Sequence, residues 1–361
     1  MSSQLKIAVY TMAKNEAEHV ERYAETTKEA DIVVVTDTGS TDDTPALLEK
    51  SGISVKHARI SPWRFDIATN CALANVPDDV DVCVKLDLDE VIHTNDGGSW
   101  REELERLWVG DINQLNYWYT WSWHVRGKVP AVRFVTGHVH SRHGFLWRHP
   151  GHAMLSSSTN VTRAMSDNFE IHHYMTGKSR PDYMSLLQLA VHECKSPRTL
   201  FYLGREYSFR KMHVECINTL NEYLTHPDAV WKAERANAMR LISVSYEALG
   251  QTDTAFSWLM RAHGELPNIR DLWYETGRFL HNQGDFLGGI WAFSRCLVIE
   301  KRHPEWVAHT GSAWDHHPYL LAAKCAWHLN NKDKARSLLA TAKQIAPDDH
   351  DIRSAEMLMS M

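Results

Sequence analysis

The segment Val84-Lys85-Leu86-Asp87-Leu88-Asp89-Glu90 ends an apolar run in three carboxylates. Such a cluster repels itself unless a cation or a donor sits among the charges. Asp87 and Asp89 are two residues apart, so on a strand both side chains project from one face. Two hard oxygen ligands side by side suit Mg²⁺ or Mn²⁺ carrying a diphosphate. An Asp-x-Asp triplet is also common in solvated turns, so the elements around it decide its meaning.

The first hundred residues alternate strand and helix. Residues 6–11 form a short β-rich run, and Lys14-Asn15-Glu16 follows before a helical stretch to about Glu29. Residues 31–36 carry a continuous apolar run, as expected of a parallel strand covered on both faces. Residues 39–44 supply a turn and a helix start: Ser40 or Thr41 can cap, with Asp42 and Asp43 in the positive first turn. Residues 53–57 predict a third strand, 67–74 a helix and 81–86 a fourth strand. This order predicts an α/β doubly wound sheet, whose ligands bind beyond the carboxyl ends of the strands. Thr11, Asp37, Asp87 and Asp89 all fall at such ends, which points to one shared site. No Gly-x-Gly-x-x-Gly follows the first strand and no Gly-Lys-Ser/Thr phosphate loop occurs, which disfavours a nicotinamide dehydrogenase or a P-loop enzyme.

From about residue 180 the pattern is helical throughout. Tyr207, Tyr246, Leu280 and Ala326 are each followed nine residues later by a small residue: Cys216, Ala255, Gly289 and Ala335. The units end near Pro227, Pro267, Pro304 and Pro347. The spacing of 34 to 46 residues brackets that of tetratricopeptide helical hairpins. Small residues at the repeated position let two helices approach closely. Four degenerate repeats are expected, with Trp231, Trp258, Trp273, Trp291 and Trp327 mostly in their packing. Stacked repeats make extended surfaces, open to a peptide or to homo-oligomerisation.

A chain of 361 residues accommodates two domains with substantial cores. No apolar run reaches membrane-spanning length, and a strand-like run begins almost at once, so neither a membrane span nor a signal peptide is expected. The six cysteines (Cys71, Cys83, Cys194, Cys216, Cys296, Cys325) form no Cys-x-x-Cys pair. They read as buried thiols of a reducing, cytoplasmic compartment, not a disulfide framework or zinc site. Lys and Arg set against Asp and Glu give −8 for residues 1–95, +3 for 96–180 and −1 for 181–361. A basic segment after an acidic site suits phosphate or an anionic acceptor, although an ordinary fluctuation in surface charge fits equally. Net acidity gives no positive support to duplex DNA binding.

Four motifs occur in one order: Lys14-Asn15-Glu16, Thr36-Asp37-Thr38-Gly39-Ser40-Thr41-Asp42-Asp43-Thr44, Phe65-Asp66-Ile67-Ala68-Thr69-Asn70 and Asp87-Leu88-Asp89-Glu90. Together they resemble family 2 glycosyltransferases of the A-type fold, over roughly residues 5–95. Residues 130–230 resemble, more loosely, the subgroup that carries C-terminal tetratricopeptide repeats. The resemblance implies a glycosyltransferase A-type, nucleotide-sugar-binding catalytic domain over residues 1–180 and an all-α tetratricopeptide-like domain over 181–361. It implies a nucleotide-sugar donor, usually a uridine diphosphate (UDP) sugar, with Mn²⁺ or Mg²⁺ as cofactor. Asp37 would read the base, with Thr11, Asn15 and Glu16 lining the same pocket and Asp66 and Asn70 completing it. An acid at a strand end can accept from a uracil N–H or a ribose hydroxyl. Asp87 and Asp89 would hold the cation, which neutralises the diphosphate leaving group as the glycosidic bond breaks. Glu90, on the opposite strand face, would orient a neighbour or touch the acceptor. Thr69 stands where an arginine often precedes the asparagine, and Arg64 is the nearby substitute.

Arg142-His143-Gly144-Phe145-Leu146-Trp147-Arg148-His149-Pro150-Gly151-His152-Ala153 resembles the stretch where the repeat-bearing subgroup has a tryptophan followed by a His-Glu pair. His152 matches that histidine, a third ligand to metal or diphosphate through a neutral imidazole nitrogen. Ala153 occupies the place of the glutamate, which leaves the catalytic base to another group. Glu170, with Asp167 and Asp96, supplies the candidates within residues 96–180. His172 and His173 point to opposite faces of a strand, so at most one ligates, and His173 is expected to be packed or at the surface. The resemblance favours inversion by direct displacement, which requires a base near the acceptor. The acceptor itself (glycan, peptide, lipid-linked sugar or modified nucleobase) is not legible. The alternative is a catalytically degenerate transferase domain serving as a protein-binding scaffold through its repeats, and Thr69 and Ala153 speak for it. A sugar nucleotidyltransferase would want a Gly-rich basic loop after the first strand, which Lys14 alone does not provide.

Overall fold

The computed structural model describes residues 5–123, 130–174, 183–306, 308 and 310–360. Two compact units divide the chain: Met1–Ser122 with Val135–Tyr202, and Trp123–Phe134 with Leu203–Met361. The junction expected at residue 180 lies outside the described residues.

Unit 1 runs β1 (Ile7–Ala13), α1 (Val20–Thr27), β2 (Ile32–Asp37), α2 (Thr44–Lys50), β3 (Ser54–His57), α3 (Phe65–Ala74), β4 (Val82–Lys85), β5 (Glu90–Thr94) and α4 (Trp100–Leu107). Then come β6 (Gln114–Trp123), β7 (Pro130–Ser141), β8 (Phe145–Arg148), β9 (Met154–Ser157), β10 (Arg163–His173) and α5 (Tyr183–Glu193). Strands β6 and β7, and the next helix, α6 (Pro197–Phe209), run across the division. Eight strands form one sheet in the order β3-β2-β1-β4-β7-β6-β10-β5, and β8 pairs with β9. β1 lies parallel between β2 and β4, and β2 is parallel to β3. This half is the doubly wound part expected from the apolar runs, and β1 is buried along nearly its whole length. Beyond β4 the sheet is mixed. β7 runs antiparallel to β4, whereas β10 is parallel to β6 and antiparallel to β5. The sequence pattern does not anticipate this half, because β6 is built on Tyr117, Trp118, Tyr119 and Trp121, whose β propensity lies in their ring packing. One layer of the core joins Ala8, Tyr10 and Cys83 of the sheet to Ala72 and Leu73 of α3 and Trp147 of β8.

β4 stops at Lys85, one residue short of the expected end, and the chain turns through 86–89. The Glu90 N–H closes that turn on the Asp87 carbonyl at 3.0 Å. Asp87 and Asp89 are therefore turn residues, and the expectation that strand alternation puts them on one face does not hold.

Unit 2 contains α7 (His213–Thr225), α8 (Lys232–Ala248), α9 (Thr252–Glu265), α10 (Arg270–Asn282), α11 (Phe286–Leu297), α12 (His317–His328), α13 (Lys332–Ile345) and α14 (His350–Ser360). Cys216, Ala255, Gly289 and Ala335 are each the fourth residue of α7, α9, α11 and α13, and all four are buried. Five residues before each stands a left-handed residue: Lys211 (φ 60°), Gly250 (75°), Gly284 (80°) and Asn330 (57°). Each marks the turn between paired helices, the place where a left-handed residue ends a helix. The repeat is a helical hairpin closed by a small residue, as its spacing suggests. Trp258, Trp273 and Trp327 pack against the helical cores. Trp291 is instead 54% exposed, meeting Trp273 edge-on at 5.0 Å. Four cysteines are buried thiols, while Cys71 is half-buried and Cys194 exposed, contrary to expectation. Among the described residues no helix is long and apolar enough to cross a membrane.

Candidate functional site

The acids after β4 are held by three basic or hydroxyl partners. Lys85 Nζ contacts Asp87 Oδ2, and Thr11 Oγ1 donates to Asp87 Oδ1 at 2.8 Å. Thr11 is buried in β1, the strand beside β4, so the sheet itself brings that hydroxyl to the turn. Asp89 Oδ2 lies 3.1 Å from His173 Nε2, and the Asp89 carbonyl accepts the Tyr174 N–H at 2.8 Å. Burial works to raise the Asp89 carboxyl, but the His173 hydrogen bond and charge, helped by Lys85, hold it below the usual range. The same pair acts on His173: burial opposes its charged form, and Asp89 outweighs burial and raises it. Asp89 thus stays an anion beside a cation-prone imidazole.

Glu90 opens β5 and is buried. It accepts the Asp87 N–H at 2.8 Å and the Tyr119 hydroxyl at 2.7 Å. Burial, then the Asp87 charge, pushes its carboxyl up to about 7. With both oxygens engaged from inside, Glu90 positions the Asp87 turn.

The first two motifs brace one another. Asn15, left-handed at φ 56°, donates its N–H to Ser40 Oγ at 2.9 Å, and its Oδ1 accepts the Thr41 N–H at 2.7 Å. The Glu16 N–H donates to Thr44 Oγ1 at 2.7 Å. Asp37 accepts the N–H groups of Gly39 and Ser40 at 3.1 Å each, with His57 Nδ1 at 3.4 Å. Burial would raise Asp37, but the Ser40 and Gly39 donors and His57 keep it low. Its carboxylate shapes the loop after β2, the role of a turn acid.

Asp66 and Asn70 also serve the fold. Arg64 grips Asp66 with two nitrogens, at 3.1 and 2.9 Å, and reaches Glu193 as well. Asn70 holds the backbone of Trp147 from both sides: Nδ2 donates to its carbonyl at 2.8 Å and Oδ1 accepts its N–H at 2.9 Å. Amide groups committed to backbone in this way pin α3 to β8.

His152 and Glu170 are not gathered with the turn acids. His152 Nδ1 lies 3.2 Å from Tyr183 Oη, and its ring packs on Tyr202 at 3.7 Å. Glu170, paired in register with His93, accepts from Thr120 Oγ1 at 2.8 Å and lies 3.2 Å from His172 Nε2. Alternation along β10 puts Glu170 and His172 on the sheet face opposite His173, so Glu170 does not join Asp89. The residues missed by sequence reasoning are Lys85, Tyr119 and His173, the last expected to be merely packed. Only the β10–β5 register, which sets His173 opposite Glu90, could have revealed it.

Asp89 offers a carboxylate to a cation, and among the described residues nothing donates to its Oδ1. Asp87 faces the Lys85 ammonium, which already supplies positive charge. Mg²⁺-type sites are commonly held by one or two carboxylates plus substrate phosphates, not by a cage of protein ligands. The donor set fits that kind of site and not the three-ligand set that included His152. A groove of about 960 Å³ lies elsewhere, along α13 and α14, lined by Arg336, Lys343 and Met357 among others.

No protein-family model matches the chain, and no curated protein matches it. Solved structures are similar to part of it. One, a functional characterisation of pilF from Pseudomonas aeruginosa, is 13% identical over 49% of this chain and 73% of its own, at a TM-score of 0.40. YrrB, described as a tetratricopeptide protein with an unusual peptide-binding site, is 17% identical over 48% and 82%, at 0.38. A thermophilic tetratricopeptide protein from Thermus thermophilus is 17% identical over 49% and 88%, at 0.37. The chain is a mixed α/β sheet unit joined to tetratricopeptide-like helical repeats, and the hairpins described above carry that description by themselves.

Proposed function

We propose that unit 1 is a metal-dependent glycosyltransferase of the A-type fold, binding a nucleotide-diphosphate sugar at the β4 turn, and that unit 2 binds a protein or peptide. The transferase reading is carried by one observation: Asp89, anionic and anchored by His173, has an oxygen directed to no described donor, at the carboxyl end of a parallel strand. Asp89, with Asp87 beside it, would hold Mn²⁺ or Mg²⁺. The ion would supply charge neutralisation on the departing diphosphate. Lys85 adds fixed positive charge beside Asp87, while Glu90 and Tyr119 keep the turn in shape. Thr11 buttresses Asp87 from β1. The acceptor base is not assigned to Glu90 or Glu170, whose partners are internal.

A second reading, a non-catalytic sheet unit serving a repeat-based scaffold, has its own support. Asp37, Asp66 and Asn70 are all committed to structural bonds, Ala153 stands in place of an acid, and the helical repeats build the stacked surface that binding modules use. One experiment separates the two. Hydrolysis of a panel of UDP sugars with Mn²⁺ is followed alongside thermal shift, in the parent and in Asp89→Ala. The transferase reading expects one donor that is hydrolysed and raises Tm, with turnover falling at least about 100-fold in the variant. No shift and no hydrolysis with any donor would leave the scaffold reading standing.

A further inference from the structure

We propose that unit 2 carries a divalent-cation site of its own, formed by Asp315, His316 and His317 at the start of α12, with Asp349 behind it. Among the described residues this is the one place where three His, Cys, Asp or Glu side chains bring ligand atoms within 4.8 Å of one another. Asp315 Oδ1 is 3.3 Å from His316 Nδ1, and Asp349 Oδ2 is 3.3 Å from His316 Nε2. The His316 and His317 rings lie 4.1 Å apart.

His316 makes the case. It is only 4% exposed, yet neither ring nitrogen makes a hydrogen bond. A buried polar group without one is costly, and native folds rarely leave it so. A carboxylate oxygen at 3.3 Å from an imidazole nitrogen, without hydrogen-bond geometry, has the spacing of two ligands on one ion. With metal–donor distances near 2.0–2.1 Å, neighbouring donors of a tetrahedral centre stand about 3.3 Å apart.

Only one nitrogen of His316 can face the ion, and the Asp315 side is the one with a second imidazole next in sequence. Asp349 then takes the outer role, its carboxylate 3.3 Å from the far nitrogen, on the side where carboxylates stand behind metal-bound histidines. Asp349 is itself held, because its Oδ1 accepts the N–H groups of Asp351 at 2.9 Å and Ile352 at 3.2 Å at the start of α14. Two imidazoles and a carboxylate suit Zn²⁺ or a similar first-row ion over Mg²⁺ or Ca²⁺. The N-terminus of α12 disfavours a cation, and the charges of Asp315 and Asp349 offset it. Three protein donors leave a position for water. The site ties the start of α12 to that of α14, a stapling role independent of the transferase reading.

The test uses the full chain, stripped with a chelator and titrated with Zn²⁺ alone, with Co²⁺ absorbance as a second probe of coordination. One equivalent should bind, Tm should rise, and Asp315→Asn and His317→Gln should each weaken binding at least about tenfold. Asp89→Ala should leave this affinity unchanged, which separates the site from any donor-bound metal. If His316→Gln fails to fold, the other two variants still decide. Unchanged zinc affinity in both, or no saturable binding at one equivalent, overturns the site.

Discussion

Unit 2 meets the same packing demand four times with the same device, a small residue at the fourth position of the second helix of each hairpin. The strand-end region of unit 1 repeats nothing: Asp37, Asp87, Asp89 and Glu90 each have a different partner set, built from separate parts of the chain. Close approach of two helices is a matter of volume, so any of Cys, Ala or Gly satisfies it. An acid at a strand end needs named donors at hydrogen-bond distance, and a one-atom change in a partner alters its charge state. The helical unit should therefore fail by steric overload and the strand-end region by electrostatics.

Gly289 puts the steric half of this contrast under the greatest load. A Cβ there would stand 2.9 Å from Cys325 Sγ and 3.6 Å from the Gly277 carbonyl. Gly289→Leu should lose about 3 kcal/mol, since the added side chain must displace α10 or α12. Urea unfolding followed by circular dichroism reads this directly. A midpoint equal to that of the parent would mean that the hairpins are not packed as closely as the small-residue repeat requires.

Glu90 tests the electrostatic half. Burial and the Asp87 charge raise its carboxyl to about 7, above the usual value near 4.3 for a free glutamate. The folded state therefore binds a proton that the unfolded chain has already released. That contribution to stability is complete below the unfolded value and is lost as pH rises through about 7. Glu90→Gln abolishes the titration while keeping an oxygen for the Asp87 N–H or the Tyr119 hydroxyl. The variant should gain on the parent by about 1–3 kcal/mol between pH 5 and pH 8. A difference in Tm that does not change with pH would mean that Glu90 is not charged against its surroundings.

The contrast also explains what the sequence let through. The order of strands and helices to β4 follows from apolar runs and turn residues, and the hairpins follow from spacing; both are local signals. The four acids at the strand ends were legible as types. Their partners were not: His173 reaches Asp89 across 84 positions, through a β10–β5 register that no local pattern encodes. Asn70 and Asp37 carry a related ambiguity. Their motifs announce polar residues beside strand ends, but a polar residue there can serve a ligand or the neighbouring backbone, and only geometry separates the two. The motif around His152 points to the strand-end site, whereas the structure sets its ring against Tyr183 and Tyr202.

The smallest effect lies at the hairpin turns, where one repeat departs from the rest. Gly250, Gly284 and Asn330 suit their left-handed positions, but Lys211, at φ 60°, carries a Cβ into a region that costs such residues about 1 kcal/mol or more. Its N–H bonds the Ser208 carbonyl at 3.0 Å, and the next N–H bonds that of Tyr207 at 2.9 Å, so backbone geometry alone fixes the turn. Lys211 is exposed and loses no packing on truncation. Lys211→Gly should relieve the strain, while the greater freedom of glycine in the unfolded chain takes part of the gain back. A net rise of about 0.5 kcal/mol is expected, visible as a small increase in the urea midpoint without a change in slope. If the variant is instead destabilised, the α6–α7 turn is held by the lysine side chain. The first repeat would then close differently from the other three, and the uniform packing rule would apply to three hairpins, not four.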